Sequence, residues 1–221
     1  MIRDVVLSAC LAVTSPDRMD LLAPLAPVGV WMPAEWKMTA VRGQRAPRAT
    51  VHDAHEGRFL RFDGHNRAAF FVRPFAVPMA ADGSRLTLSW RIPHAPAGAD
   101  MRDAKTDDSP LRIFVVFQTP RRFLSPPRTL FYSSGRNEPP AFSQASPQSE
   151  NLHVLRITES GNDTAWTTIS IDPARDYARV WGGSAPCVLA IGVMQDTDAT
   201  RTSAIADLQQ LSWGSRAVTN R

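Results

Sequence analysis

In Leu86-Thr87-Leu88-Ser89-Trp90-Arg91-Ile92 every second residue is apolar. This sends Leu86, Leu88, Trp90 and Ile92 to one face of a strand and Thr87, Ser89 and Arg91 to the other. Residues 58–62 and 68–75 read as two more strands, and Asp63-Gly64-His65-Asn66 between them has the composition of a turn, so together they predict a hairpin. Residues 111–117 and 188–194 are long apolar runs rich in β-branched side chains, as in central strands covered on both faces. Residues 152–158, 166–171 and 203–213 complete the set. In the last, Ala204, Ala206 and Leu208 share one parity while Leu211 and Trp213 share the other; a bulge near Gln209-Gln210 would put all five in one core.

One helix is predicted over residues 174–181, where Asp172 can cap, Pro173 suits the first helical position and Gly182-Gly183 stop the segment. Tyr177 and Trp181 then share a face. About eight or nine strands and one short inserted helix predict an all-β fold, a two-sheet antiparallel β-sandwich of jelly-roll type. Eighteen prolines in 221 residues agree, because proline interrupts helices and central strands and favours short strands joined by rigid turns. Residues 1–38 suit a leader or an irregular N-terminal arm, 39–215 the sandwich domain, and 216–221 a flexible C-terminal tail.

Charge excludes little. The balance of 25 Lys and Arg against 21 Asp and Glu leaves +4. Arginines gather at Arg42, Arg45 and Arg48 and at Arg121 and Arg122, yet no run of like charges marks a nucleic-acid arm, so a solvated surface is expected and no nucleic-acid partner. No apolar run approaches the roughly 20 residues that span a bilayer, so no transmembrane segment is expected.

Cys10 and Cys187 form no metal or redox motif, and two free or buried thiols are expected. Leu7-Ser8-Ala9-Cys10 looks like a bacterial lipobox, but the stretch before it is shorter than a secretory leader. Either the start is mis-assigned and Cys10 is a lipidation site, or the match is chance. A periplasmic or secreted location is expected, with a cytoplasmic one as the alternative.

The segment Asp196-Thr197-Asp198-Ala199-Thr200 follows an apolar strand, the arrangement of the nucleophile motif in haloacid-dehalogenase-type phosphatases. Context opposes that reading, since only about twenty residues follow and they read as a strand. A calcium loop is a second reading, with Asp196, Asp198 and Thr200 as alternating oxygen ligands. The EF-hand pattern is not met, because its sixth position is Arg201 and its twelfth Asp207. A simple turn, with Asp and Thr bonded to local amides, is the third. Lys105-Thr106-Asp107-Asp108-Ser109-Pro110 precedes one central strand, and Asp196–Thr200 follows the other. If these strands are antiparallel neighbours, both acidic loops lie at one end of the sandwich. Asp107, Asp108, Asp196 and Asp198 would then meet, with Lys105, Arg112 and Arg201 able to neutralise them. Asp107, Asp108, Arg112, Asp196, Asp198 and Arg201 are the candidate ligand-binding residues. Paired structural corners are the common alternative, because unpaired carboxylates are costly to bury.

The five histidines are scattered, and neither HExxH nor GxSxG occurs. Ser133-Ser134-Gly135 reads as a turn. Trp90 and Trp213 belong to buried parities, which leaves Trp31, Trp36, Trp166 and Trp181 as candidates for an exposed, sugar-stacking platform.

Three stretches together carry a family likeness: Leu88-Ser89-Trp90-Arg91 followed by Ala95-Pro96-Ala97-Gly98-Ala99-Asp100; Asp107-Asp108 with Arg112-Ile113-Phe114-Val115-Val116-Phe117; and Ile191-Gly192-Val193-Met194-Gln195-Asp196-Thr197-Asp198-Ala199-Thr200. In order and spacing they resemble the bacterial domain of unknown function 3047 family, from about Ala49 to Trp213, and residues 172–181 are similar to its Arg-Asp-Val, Asp-Tyr segment. Its Trp-Arg-Trp-Arg reads Trp90-Arg91-Ile92-Pro93 here, and its Leu-x-Tyr-x-Trp region is reduced to Leu130-Phe131-Tyr132-Ser133. The resemblance implies a bacterial, often exported, β-rich domain with no established activity. The expectation is non-catalytic binding of a saccharide-like ligand at the acidic end. The alternatives are a polysaccharide-acting hydrolase or lyase using paired carboxylates, and a structural partner domain.

Overall fold

A computed structural model describes residues 17–23, 25, 28–119, 126–159 and 163–215. The expected leader segment with Cys10, the Arg121 and Arg122 pair and residues 216–221 lie outside the described residues. The strands are β1 (Met19–Asp20), β2 (Gly29–Val30), β3 (Lys37–Ala40), β4 (Arg48–Ala54), β5 (Gly57–His65), β6 (Ala68–Met79), β7 (Ser84–His94), β8 (Ser109–Phe117), β9 (Arg128–Gly135), β10 (Ser143–Ser146), β11 (Ser149–Glu159) and β12 (Asp163–Ile171). Helix α1 (Pro173–Trp181) follows, and then β13 (Val188–Asp196) and β14 (Ser203–Ser215).

They form a two-sheet β-sandwich of jelly-roll type. One sheet runs β12-β7-β14-β5-β4-β2, with β1 paired to β14; the other runs β10-β11-β9-β8-β13-β6-β3. Pairing is antiparallel except between β9 and β11, which are parallel. The alternation in β7 does what it predicts: Leu86, Leu88, Trp90 and Ile92 are all buried between the sheets. The register of β14 against β7 shifts between Leu208 and Gln210. That bulge returns Leu211 and Trp213 to the face already occupied by Ala204, Ala206 and Leu208, and all five are fully buried.

Strands β8 and β13 lie at the centre of their sheet and pair antiparallel, with Ile113 opposite Val193 and Val115 opposite Ile191. Their inner side chains enter the main core. Phe114, Phe131, Met194 and Val154 lie in a second apolar cluster with Met101 and Phe142. Gly192 sits opposite Phe114, and an added Cβ there would overlap that ring. Glycine is needed for this close approach.

Several expectations are corrected. β5 and β6 are consecutive but do not form a hairpin: β5 pairs with β4 and β14, whereas β6 pairs with β13 and β3. Asn66, at φ 50, and Arg67 carry the chain from one sheet to the other. Ser133-Ser134-Gly135 is no turn; it ends β9, where the two serines are buried. The arm before residue 38 contributes β1 and β2, and Leu21, Leu22, Trp31 and Trp36 enter the core. Trp36 Nε1 donates to the Leu21 carbonyl at 3.1 Å. Cys187 is buried and disulfide-bonded, so it is not a free thiol.

Helix α1 links edge strand β12 to central strand β13, crossing between the sheets. The Arg175 amide donates to the Asp172 carboxylate at 3.0 Å, which satisfies one of the free donors of the first turn. Tyr177 is buried against Phe117, their centroids 4.9 Å apart.

Candidate functional site

Because β8 and β13 run antiparallel, the residues before one and after the other meet. Ser109 is opposite Asp196. Asp107, Asp108, Arg112 and Asp196 are all buried here, each less than a tenth exposed. The Arg112 guanidinium donates to the Asp107 carboxylate at 2.6 Å and lies 3.9 Å from that of Asp196. Asp108 accepts from the Ala199 amide at 3.1 Å, from the Thr200 amide at 2.7 Å and from the Thr200 hydroxyl. It thereby clamps the turn between β13 and β14. Thr197 closes the same end, its hydroxyl accepting from the Arg67 amide at 2.9 Å and its amide donating to the Arg67 carbonyl at 2.9 Å. Lys105 and Arg201 remain exposed, the latter at φ 55.

The corner has more carboxylates than cations. One carboxylate oxygen from each of Asp108, Asp196 and Asp198 lies within 4.8 Å of the others. Burial, followed by the proximity of Asp198 and Asp108, pushes the Asp196 carboxyl up to about 9 against an opposing pull from Arg112. Burial raises Asp107 as well, with Arg112 opposing. Asp196 therefore holds a proton at neutral pH, and its Oδ1 is buried without a hydrogen-bond partner. The three oxygens are close enough to share one hard cation, whose oxygen ligands sit about 2.3–2.6 Å from the metal. The expected third ligand Thr200 instead points its hydroxyl at Asp108.

The tryptophan platforms are corrected as well. Trp31 and Trp36 are buried. Trp166 is covered by Arg91, whose guanidinium carbon is 4.5 Å from the ring centroid. Arg91 and Arg61 flank the fully buried Asp207, which accepts from Arg61 at 2.7 and 2.8 Å and from Arg91 at 2.8 Å. Trp181 is partly exposed beside His153, at 6.0 Å between centroids, with Arg128 over it at 5.3 Å.

A feature absent from the sequence reading lies on the side where α1 crosses. A cleft of about 400 Å³ separates β11 from β12 under the helix. Its apolar strip is Leu155, Ile157, Ile169 and Ile171, and its charged groups are Arg85, Arg156, Arg175 and Arg179 with Asp172 and Asp176. A second cleft, of about 370 Å³, shares Arg85, Asp172 and Arg175 with it and extends to Ser184. A third, of about 250 Å³, shares Ala141, Arg156 and Ile157 and extends to Pro140. The shared linings make one groove. Its arginines come from β7, β11 and α1, so no cluster shows in the sequence. Only the Asp172, Arg175, Asp176, Arg179 series on the predicted helix hinted at it.

Fold and site together define a two-sheet β-sandwich with a stapled acidic corner and an arginine-lined groove. Carbohydrate-binding modules and a xylanase are among the solved structures similar to it. The family 11 carbohydrate-binding module of cellulosomal cellulase Lic26A-Cel5E of Clostridium thermocellum is 10% identical, with a TM-score of 0.49 over 94% of this chain and 100% of that one. The CBM22-1 xylan-binding domain from Paenibacillus barcinonensis Xyn10C is 14% identical, with a TM-score of 0.41 over 92% of this chain and 97% of that one. The family 11 xylanase from Neocallimastix patriciarum is 9% identical, with a TM-score of 0.46 over 86% of this chain and 95% of that one. These likenesses are of fold only. No curated protein matches the sequence. The chain belongs to the DUF3047 family of proteins of unknown function, whose model matches residues 34–212. No helix among the described residues is long and apolar enough to cross a membrane.

Proposed function

We propose that the protein is a non-catalytic binding domain for an extended, polyhydroxylated ligand of saccharide type, seated in the groove between β11, β12 and α1. The observation that carries this reading is a set of three clefts with shared lining residues, in which apolar side chains stand beside guanidinium and, in two of the clefts, carboxylate groups. Sugars present apolar C–H faces and hydroxyl edges, and planar charged side chains hydrogen-bond the latter in pairs. The corner at Asp107, Asp108, Arg112, Asp196 and Asp198 then serves as the fastening of the sandwich end. The engagement of Asp108 by the β13–β14 turn and of Asp107 by Arg112 supports that role over acid and base work. Calorimetric titration with neutral and acidic oligosaccharides tests the proposal. Saturable binding without turnover of the sugar is expected, and release of reducing ends would favour the hydrolase reading instead.

A divalent cation at Asp108, Asp196 and Asp198 is a second reading, favoured by the unpartnered buried oxygen of Asp196. A calcium-dependent rise in melting temperature is its expected mark, because a ligand bound only by the folded state must stabilise it. An envelope or secreted location is proposed too. The disulfide at Cys187 supports it, since such bonds persist in oxidising compartments. Cell fractionation of the native producer tests the location, and recovery in the cytosol would overturn it.

A further inference from the structure

The geometry points to Ala141 as a residue that selects for ligand length: it forms the saddle over which an oligosaccharide passes from the central cleft into the smallest of the three. This deepens the proposed function and rests on it. Ala141 lines both clefts, as do Arg156 and Ile157 of β11. Their shared boundary therefore combines a methyl group and an isoleucine side chain with one guanidinium.

The backbone at this point has a conformation that alanine resists. The Phe142 amide donates to the Pro139 carbonyl at 3.1 Å, which closes a turn with Pro140 second and Ala141 third. Ala141 has φ 60. Proline in second place and a positive φ in third are the marks of a type II turn, whose third position calls for glycine or asparagine. Alanine is strained there, because its Cβ crowds the following carbonyl oxygen. Both flanks hold the turn in place. Phe142 is buried in the second apolar cluster and its carbonyl accepts from the Arg156 amide at 3.0 Å, while the Glu138 carbonyl accepts from the Arg156 guanidinium. The Ala141 methyl belongs to neither core cluster, and the residue is exposed, so packing inside the fold does not offset the strain. What the methyl offers is a small apolar contact where two clefts meet, suited to the C–H face of a pyranose ring that crosses from one to the other. A larger side chain at this position would stand in the crossing.

The test is a titration of the full chain with cellohexaose and xylohexaose as long probes and with cellobiose and xylobiose as short ones. The better hexaose is expected to bind at least about tenfold more tightly than its disaccharide. Ala141→Asn should erase that advantage. Asparagine tolerates a positive φ, so the melting temperature of this variant should equal or exceed that of the wild type. Ala141→Gly also relieves the strain but leaves the crossing open, and it should keep the advantage. Equal binding of hexaose and disaccharide by the wild type would overturn the crossing and leave the saccharide reading standing. Failure of both hexaoses to bind would overturn both. An advantage that persists in Ala141→Asn, or is lost equally in Ala141→Gly, would overturn the assignment to Ala141. A lower melting temperature for Ala141→Asn would overturn the strained turn on which that assignment stands.

Discussion

Replacing Asp108 by alanine should destabilise the protein by about 3–5 kcal/mol, more than any exposed charge can. The wild-type carboxylate receives the amides of Ala199 and Thr200 and the Thr200 hydroxyl, and Asp108 is only 2% exposed. Hydrogen bonds to a charged group contribute about 1.5–3 kcal/mol each. Their sum is reduced because the turn donors lie near the surface and regain water in the variant. A smaller term opposes the loss, since removing one negative charge relieves Asp196. Asparagine keeps one carbonyl oxygen but turns an amide toward a donor, so Asp108→Asn should fall between alanine and wild type. Equilibrium urea unfolding measures both, with an unchanged denaturant slope showing that the unfolded state is unaffected. Asp53→Ala is the control, because its pair with Arg58 is about half exposed and should contribute under about 1 kcal/mol. If Asp108→Ala costs no more than Asp53→Ala, the turn is held by something other than this carboxylate.

Other outcomes follow from the same chemistry. Between the ordinary carboxyl value of 3.8 and the folded value of about 9, folded Asp196 keeps a proton that the unfolded chain has lost. Stability should therefore fall as pH rises through that interval, by up to about 1.4 kcal/mol per unit, and level off above it. Asp196→Asn should flatten this slope in urea unfolding between about pH 5 and pH 8; parallel slopes would refute the protonated corner. Gly192→Ala should cost about 1–3 kcal/mol by driving a methyl into Phe114, read as a lower melting temperature. Asp207→Ala should cost about 3–5 kcal/mol because it strands Arg61 and Arg91 beside a buried gap, and Arg91→Ala made in the Asp207→Ala background should add little further loss.

The parts of the fold that local patterning dictates were legible. Apolar parity gives β7 its buried face, the parity break in 203–213 demands the bulge found at Gln209, and Asp172, Pro173 and Gly182 bound α1. The meeting of Asp108 with Asp196 followed from two buried strands being neighbours. What stayed hidden depends on tertiary choices. Asp63 to Asn66 has turn chemistry, which specifies a change of direction but not which sheet receives the next strand. Ser133, Ser134 and Gly135 have poor strand propensity, and they form one because β8 and β11 pair with them while Met101 and Glu138, from two separate loops, pack onto Gly135. Trp31 and Trp36 sit among prolines, where no period is readable, and only packing shows them to be core. The groove arginines come from three separated segments and could not be joined without coordinates.

The position of β14 has a consequence for biosynthesis. This segment stands between β5 and β7 in the middle of its sheet, although it is the last strand among the described residues. During translation the neighbours on either side emerge well before it, and each waits with an unfilled row of backbone donors and acceptors. A nascent chain halted before Ser203 would expose two adhesive edges at once, which calls for a holding factor or rapid completion by the ribosome.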